Sequence, residues 1–245
     1  MPRTPSPVRS SARRPAKPAA PARTPRKSAR KPPRTAVSGA DAPYHHGSLR
    51  AALLEAAERV LERDGLAGLT LRAVAREAGV SHAAPSHHFG ELAGLLSELA
   101  AVGFRQFNAA MIAAGASGSS PLEKAFARAK AYVAYAQAHP GMYGLMFRSE
   151  RLDMSRPSLC EAANASFAGL AGSIGATRNE QISAQALSLE QAADIARAWS
   201  MVHGFTMLLI DGRLTDIIGR LPKGTDAGTL LDAMLKRAIG QRPSG

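Results

Sequence analysis

The stretch that decides the fold is TLRAVAREAGVSHAAPSHHFG, residues 70–90. In its first half Leu71 and Val74 have the spacing of one helix face, and the hydroxyl of Thr70 can cap that helix. Gly79 is expected to end the helix, because glycine adopts the left-handed closing conformation most readily. A second helix follows within a few residues, so the stretch has the helix-turn-helix pattern.

The second helix is predicted over residues 82–88, with Ser81 as its N-cap and Pro85 in or just after its first turn. Pro85 and Phe89 would then point back toward the preceding helices. The opposite face carries small side chains and neutral hydrogen-bonding groups: His82, Ala83, Ser86 and His87. Such a face suits the DNA major groove, where alanine can touch a thymine methyl and Ser or His can bond base edges or phosphates.

Other interpretations of this histidine-rich stretch are weaker. His82 and His87 are five residues apart, a poor spacing for two zinc ligands on one helix, and no cysteine lies nearby. No nucleophile with a base and an orienting carboxylate is apparent, which disfavours catalysis. An ordinary capped surface helix without a partner stays open as the alternative.

The rest of the chain after residue 43 is predicted to be helical. Residues 48–64 form an amphipathic pattern between a potential cap at Ser48 and a terminator at Gly65, and SLEQ at 188–191 is a capping box. Further helices are predicted at about 91–113, 121–138, 141–149, 157–175, 188–212 and 226–239. Since no alternating strand pattern exceeds a few residues, the expected fold class is all-α.

Charge divides the chain into parts. Residues 1–43 hold eleven Lys and Arg against one acid, a net charge of +10, with many prolines and almost no large apolar residues. This composition favours a disordered tail, either a phosphate-binding arm, a solubilising tail or a mis-assigned start of translation. Residues 44–100 are expected to be the DNA-binding domain because they hold the helix-turn-helix, and residues 101–245 are expected to be a second, helical domain.

The composition bears on the cellular compartment in which the protein is expected. Cys160 is the single cysteine, so no intrachain disulfide is possible, which suits a reducing cytosol, and a buried structural role is favoured over redox sensing. No apolar run is long enough to span a bilayer, and the N-terminus lacks the apolar segment of a secretory signal. A cytoplasmic protein without cofactor, metal or membrane partner is expected, and the predicted DNA-binding helix would associate it with the nucleoid.

Residues 44–96, YHHGSLRA through GELAGLL, resemble the DNA-binding domain of the TetR family of bacterial transcriptional regulators. AHPGMYGLMF at 138–147 and WSMVHG at 199–204 resemble the WHG-type C-terminal domain found in part of that family. The resemblance implies a non-enzymatic regulator, by default a repressor, that binds a palindromic operator as a homodimer and is released by a small apolar effector. The predicted DNA contacts are Thr70, Arg72, Ser81, His82, Ala83, Ala84, Ser86, His87 and His88.

The sequence departs from the family pattern at two phosphate-contacting positions. Ser86 stands where many members have tyrosine, and Leu92 where many have lysine. Residues 44–100 carry five arginines and seven acids, a net charge of −2, which is unusual for a DNA-binding module. The hypothesis that follows is that the basic tail supplies the missing affinity for phosphate.

Aromatic and methionine residues concentrate between residues 104 and 205 and predict an adaptable apolar pocket. The candidate lining is Phe104, Phe107, Met111, Tyr132, Tyr135, Met142, Met146, Phe147, Trp199 and His203. His203 could instead be a core histidine bonded to a backbone carbonyl, which is the favoured interpretation. The late apolar helices are the expected dimer interface, with Val202, Leu209, Leu231, Met234, Leu235 and Ile239 as candidates. A DNA-coating protein driven by the tail is the alternative function, and a small-molecule enzyme is disfavoured.

Overall fold

The computed structural model describes residues 46–147 and 149–240. Across these ranges the regular structure is helical, apart from one isolated antiparallel bridge between Ser183 and Ala186. The predicted all-α fold class is therefore confirmed. The basic tail at residues 1–43 lies outside the described residues.

Four helices build the N-terminal part: α1 (His46–Gly68), α2 (Leu71–Glu77), α3 (Ala84–Phe89) and α4 (Leu92–Gly115). α1 already starts at His46, so the prediction of Ser48 as its cap is wrong. The predicted end at Gly65 appears as a break inside α1, where the glycine backbone leaves the helical region at φ +68°. A positive φ is accessible to glycine with little strain, which is why the chain can turn there.

Six helices follow: α5 (Pro121–Ala138), α6 (Pro140–Met146), α7 (Pro157–Arg178), α8 (Leu189–Ile210), α9 (Thr215–Gly219) and α10 (Ala227–Gly240). A short 3₁₀ turn (Ser149–Arg151) separates α6 from α7. The predicted capping box at the start of α8 is confirmed, because the Ser188 hydroxyl accepts from the Gln191 N–H and the Gln191 side chain accepts from the Ser188 N–H. The five-residue α9 was not predicted, since so short a segment carries little periodicity.

Two groups of buried side chains form the core. The larger one joins α1, α2 and α3 to α4, α6 and α7, with Leu53, Phe89 and Leu99 among its fully buried members. The smaller one packs α5 against α8 and α10 around Val133 and Phe205. The predicted domain boundary at residue 100 falls inside α4, whose buried residues lie on both sides of it.

Candidate functional site

A tight turn joins α2 to α3. The Thr70 hydroxyl accepts a hydrogen bond from the Ala73 N–H at 3.1 Å, so the predicted cap of α2 is confirmed. Gly79 has a φ of +69°, in the left-handed region that favours glycine. The Val80 N–H donates to the Ala75 carbonyl at 3.0 Å and closes the turn. The predicted helix-turn-helix is present.

α3 starts two residues later than the pattern indicates. It begins at Ala84 and no side chain caps it, so the prediction of Ser81 as the N-cap is wrong. The Ser81 carbonyl instead accepts the Ala84 N–H at 3.0 Å, and His82 and Ala83 form a turn ahead of the helix. Pro85 lies in the first turn and has no N–H to leave unpaired, which reduces the need for a capping side chain.

The outer face of α3 and of the turn before it is open to solvent. The exposed residues of the predicted interface are Thr70, Arg72, Ser81, His82, Ala83, Ser86 and His87. Ala84 and His88 are half-buried, whereas Pro85 and Phe89 are buried beneath the face. The face carries no acidic side chain, so nothing on it would repel a phosphate backbone.

Ion pairs occupy the acidic side chain at the end of α2. Glu77, the last residue of α2, accepts from Arg59 at 2.9 Å and from Arg63 at 2.8 Å. The hydrogen bonds from Arg63 and Arg59 lower the pKa of Glu77. Arg72 and Arg76 form no ion pair with any carboxylate in the described part of the chain. Both arginines therefore keep an unbalanced positive charge, although residues 44–100 carry a net negative charge.

Arg156, directly before α7, holds the C-terminal end of α3. Its Nη2 donates to the Phe89 carbonyl at 2.8 Å, and its Nη1 lies 3.7 Å from Oε1 of the buried Glu98. Arg50 of α1 binds the other oxygen of Glu98 at 2.5 Å, and its guanidinium carbon lies 5.5 Å from the centre of the Phe89 ring. A buried carboxylate between two arginines thus connects α1, α3, α4 and α7. No local sequence motif marked Arg156 for this role.

A cavity of about 500 Å³ lies between α4, α5, α7, α8 and α10. Its wall is mostly apolar, and its volume is within the range of small-molecule sites. The predicted pocket residues that line it are Phe104, Phe107, Met111, Tyr132, Phe147 and Trp199. Ile112, Leu122 and Trp199 are exposed members of the wall, so the cavity reaches the surface.

The other four predicted pocket residues do not line this cavity. Met142 and Met146 are buried against α4, next to Gly103, and Tyr135 donates from its hydroxyl to the Gly103 carbonyl at 3.2 Å. Helical spacing marks a side chain as inward-facing but does not distinguish a packed core from a cavity wall. These three residues are therefore corrected to core positions, and the fourth, His203, has its own arrangement.

His203 bonds to two tyrosines. Its Nδ1 lies 2.9 Å from the Tyr132 hydroxyl and 2.7 Å from the Tyr143 hydroxyl, and these two hydroxyls are 3.1 Å apart. Burial lowers the pKa of His203 and raises the pKa of both tyrosines, so all three are neutral near pH 7. His203 is half-buried and bonds to tyrosine hydroxyls in place of the expected backbone carbonyl, and its core role stays a prediction.

Several polar residues of the cavity wall were not predicted. Asn108 and Ser166 bond to each other at 2.7 Å, and Arg128 donates to Ser173 at 3.1 Å. Arg128 lies on α5 among alternating polar and apolar residues, a pattern shared by any half-exposed helix. Only the position of α7 opposite α5 shows that this arginine faces a cavity.

Some of the residues predicted to form the dimer interface are buried within the chain, and others are only half-buried. Leu231 and Leu235 are buried within the chain against α5 and α8, so they are corrected to intramolecular core positions. Half-buried members of the set that pack on the same core are Val202, Leu209 and Met234, while the side chain of Ile239 lies outside the described ones. Exposed apolar side chains near the end of α8 and on α9 are Met207, Leu208 and Ile217.

Neither a metal-ligand cluster nor a bilayer-length apolar helix occurs in the described ranges. No three His, Cys, Asp or Glu side chains there come together in a way that could hold a metal ion. None of the helices there is both long and apolar enough to cross a membrane.

Two family profiles match the sequence. Residues 53–99 match the bacterial regulatory proteins of the tetR family, and residues 125–238 match the tetracyclin repressor-like C-terminal domain. The WHG subtype stays a prediction. No curated protein matches the chain.

Solved structures share the fold. A protein with unknown function from Rhodococcus sp. RHA1 is 34% identical with a TM-score of 0.65, over 80% of this chain and 96% of that one. A candidate TetR-family transcription regulator from Shewanella sp. PV-4 is 20% identical with a TM-score of 0.55, over 78% and 97%. The transcriptional regulator FadR from Bacillus subtilis, in complex with stearoyl-CoA, is 13% identical with a TM-score of 0.54, over 79% and 99%.

The N-terminal profile covers the helix-turn-helix, and the C-terminal profile covers the helices that bear most of the cavity wall. The two profiles and the shared fold agree, and the chain belongs to the TetR family of bacterial transcriptional regulators.

Proposed function

We propose that this DNA-binding regulator is a repressor that binds a palindromic operator as a homodimer and leaves it when an apolar ligand enters the cavity. Members of the TetR family are generally non-enzymatic DNA-binding proteins, which supports a purely regulatory role. A protein that works on the bacterial chromosome acts in the cytoplasm.

The DNA contact in this proposal is the exposed face of α3 and its preceding turn. Ala83 and Ser86 lie at its centre and allow close approach, while His82 and His87 bring hydrogen-bonding groups to the bases or phosphates. Arg72 and Arg76 flank the face and are free of intramolecular ion pairs with described carboxylates. They are proposed to fix the register on the phosphate backbone.

One such face makes too few contacts for selectivity, because a mismatched base pair changes binding by only about 1–3 kcal/mol. Two copies related by a two-fold axis would read half-sites about 34–36 Å apart, or a multiple of that distance. The proposed partner surface combines α8 and α10. Its outward apolar side chains include Met207 and Leu208, with half-buried Val202, Leu209 and Met234 beside them.

The observation that carries the proposed ligand response is the path of α7. This helix runs without interruption from Pro157 to Arg178. Arg156 at its start holds the end of α3, and residues between Ala163 and Thr177 form one wall of the cavity. A ligand that moves α7 would shift α3 as well. Affinity for DNA and for the ligand would then be coupled, because each favours a different position of α7.

A solved relative supports a ligand in this fold, since FadR from Bacillus subtilis was crystallised with stearoyl-CoA. The identity is low, so the comparison supports the presence of an effector site rather than the nature of the effector. The apolar wall of the present cavity agrees with an effector that is mostly hydrocarbon.

Selection of genomic fragments with the full-length protein, followed by footprinting, tests the proposal. We expect protection of a palindrome, including DNA upstream of the protein's own gene, and we expect this complex to survive an excess of bulk DNA. Transcription from the selected promoter should fall when the protein is added.

Binding that bulk DNA removes as easily as the selected site would instead indicate a DNA-coating protein. Protection of a single half-site by a monomer would contradict the homodimer. Stimulation of transcription from the selected promoter would contradict the repressor role while leaving operator binding intact.

A further inference from the structure

We propose that the effector is an apolar monocarboxylic acid whose carboxylate binds Arg128. This inference rests on the proposed function in one respect, that the cavity between α4, α5, α7, α8 and α10 is the effector site. It adds the chemical class of the effector and the residue that selects it.

The charged side chains of the cavity wall are all positive. Two arginines, Arg128 and Arg197, line the cavity, and no aspartate or glutamate does. Arg197 is exposed and lies 3.4 Å from Asp194, so its charge is partly balanced and screened by water. Arg128 is half-buried and has no ion pair with a carboxylate in the described ranges. A half-buried cation facing an apolar cavity is stabilised by an anion that enters it.

The structure also holds the Arg128 guanidinium in place. Its Nη1 donates to the hydroxyl of Ser173, which is 8% exposed, at 3.1 Å. Gly115, the last residue of α4, leaves the space that the guanidinium occupies, since a Cβ there would lie 2.6 Å from the Arg128 Nε. Arg128 makes no other side-chain hydrogen bond to a described residue. Its remaining N–H groups can therefore bind both oxygens of a carboxylate.

The rest of the wall fits a hydrocarbon body. Along α4 the wall of the cavity extends from Ile112 back to Phe104, about 12 Å at 1.5 Å per residue. At that far end Phe104 packs edge-on against Phe147, with ring centres 5.9 Å apart. A second charged group on the ligand would meet these aromatic rings without a partner, whereas a single acid group at the Arg128 end leaves only hydrocarbon there. An uncharged ligand would leave Arg128 unpaired, and a cation would be repelled.

Tryptophan fluorescence measures this binding directly, because Trp199 is the single tryptophan of the chain and lines the cavity. The full-length protein is titrated with decanoate, dodecanoate and tetradecanoate, and with the three matching primary alcohols, without DNA. We expect at least one acid to bind about tenfold or more tightly than its alcohol, since only the acid can pair with Arg128.

Variants assign the preference to the residue. Arg128→Met should weaken the best acid about tenfold or more and leave its alcohol within about threefold. Arg128→Lys keeps the charge and should keep most of the preference, and Arg197→Met is the matched control for the other arginine of the wall. Thermal melting by circular dichroism compares the folding of all four proteins.

Equal affinity for acid and alcohol, no binding of any acid in the panel, or the same loss in Arg128→Met and Arg197→Met would overturn the inference. Because these titrations contain no DNA, they are separate from the proposed function. Selective operator binding without an acid preference would support the proposed repressor and contradict only the proposal that the effector is a carboxylic acid. An acid preference without operator binding would support the carboxylic acid and contradict the proposed repressor.

Discussion

Gly94, in the first turn of α4, makes room for the contact between Arg156 and α3. A Cβ at this position would lie 2.1 Å from the Phe89 carbonyl oxygen and 2.2 Å from the Arg156 Nη2. We expect Gly94→Ala to separate these groups, to lower stability by about 1–3 kcal/mol and to weaken operator binding. Chemical denaturation and fluorescence anisotropy with operator DNA measure the two effects.

Gly172→Ala is the matched control for that substitution. Gly172 lies in the exposed middle of α7, and a Cβ there would meet nothing within 4 Å. This variant should gain about 0.5–1 kcal/mol from the better helix propensity of alanine, with unchanged operator affinity. Equal behaviour of the two alanine variants would show that the space at Gly94 is not needed.

His203 is expected to make the free energy of unfolding depend on pH. Burial lowers its pKa in the folded chain below the ordinary value of about 6.5. Below about pH 6.5 the unfolded chain therefore binds this proton before the folded chain does, and the free energy of unfolding falls as the solution becomes more acidic. His203→Gln can still bond to Tyr132 or Tyr143 but cannot titrate. Urea unfolding between about pH 7.5 and about pH 5 should show a shallower loss for the variant, and parallel curves would contradict the assignment.

At the scale of elements, α3 carries the prediction on DNA recognition. Ala83→Glu and Ser86→Glu place carboxylates on its exposed face, where they would meet phosphates or base acceptors. Each should abolish selective operator binding in the gel-shift assay while leaving the melting temperature almost unchanged. Ala113→Glu adds the same charge on the exposed end of α4 and should bind as the wild type does. Full operator affinity in the two α3 variants would remove α3 as the recognition element.

The contact between the start of α7 and the end of α3 tests the proposed coupling between ligand binding and DNA binding. Arg156→Met removes the hydrogen bond to the Phe89 carbonyl and should let the end of α3 move more freely. We expect faster amide hydrogen exchange in residues 84–89 and weaker operator binding. Arg151→Met, an exposed arginine of the nearby 3₁₀ turn, is the control. Unchanged exchange in α3 would separate α7 from the recognition helix.

Elements with strong local signals were predictable from the sequence. Helix periodicity placed most helices within a few residues of their observed bounds, and Thr70, Gly79 and Ser188 acted as expected at helix ends. The start of α3 was missed because Ser81 lies ahead of the helix, where its carbonyl rather than its side chain accepts the Ala84 N–H. Periodicity also could not separate cavity wall from core, which misplaced Tyr135 and Met142.

At the scale of the whole molecule, contacts between distant segments escaped the sequence analysis. Arg156 meets Phe89 from 67 positions away, and Arg128 meets Ser173 from 45 positions away. Such pairs depend on how helices cross, which residue spacing along one helix does not encode. For the same reason Leu231 and Leu235 were assigned to a partner subunit although they pack within the chain.

The charge distribution of the whole chain predicts the effect of the tail. Residues 1–43 carry +10, whereas residues 44–100 carry −2. Deleting residues 1–43 should weaken binding to operator and unrelated DNA alike and flatten the salt dependence, by about 0.9 in the log–log slope for each lost phosphate contact. Anisotropy titrations at several salt concentrations measure the slope. A tail with its Lys and Arg replaced by Gln is the matched control for length, and an unchanged slope would exclude the arm.

α4 is shared between the two working parts of the protein. Leu95 and Leu99 are buried with the helices that present α3, and Phe104 and Phe107 further along the same helix line the cavity. A hybrid regulator that joins this ligand-binding part to the DNA-binding domain of another protein therefore cannot be spliced at residue 100. Its junction must lie in the loop before Leu92, or the other DNA-binding domain must keep the surface that α4 covers.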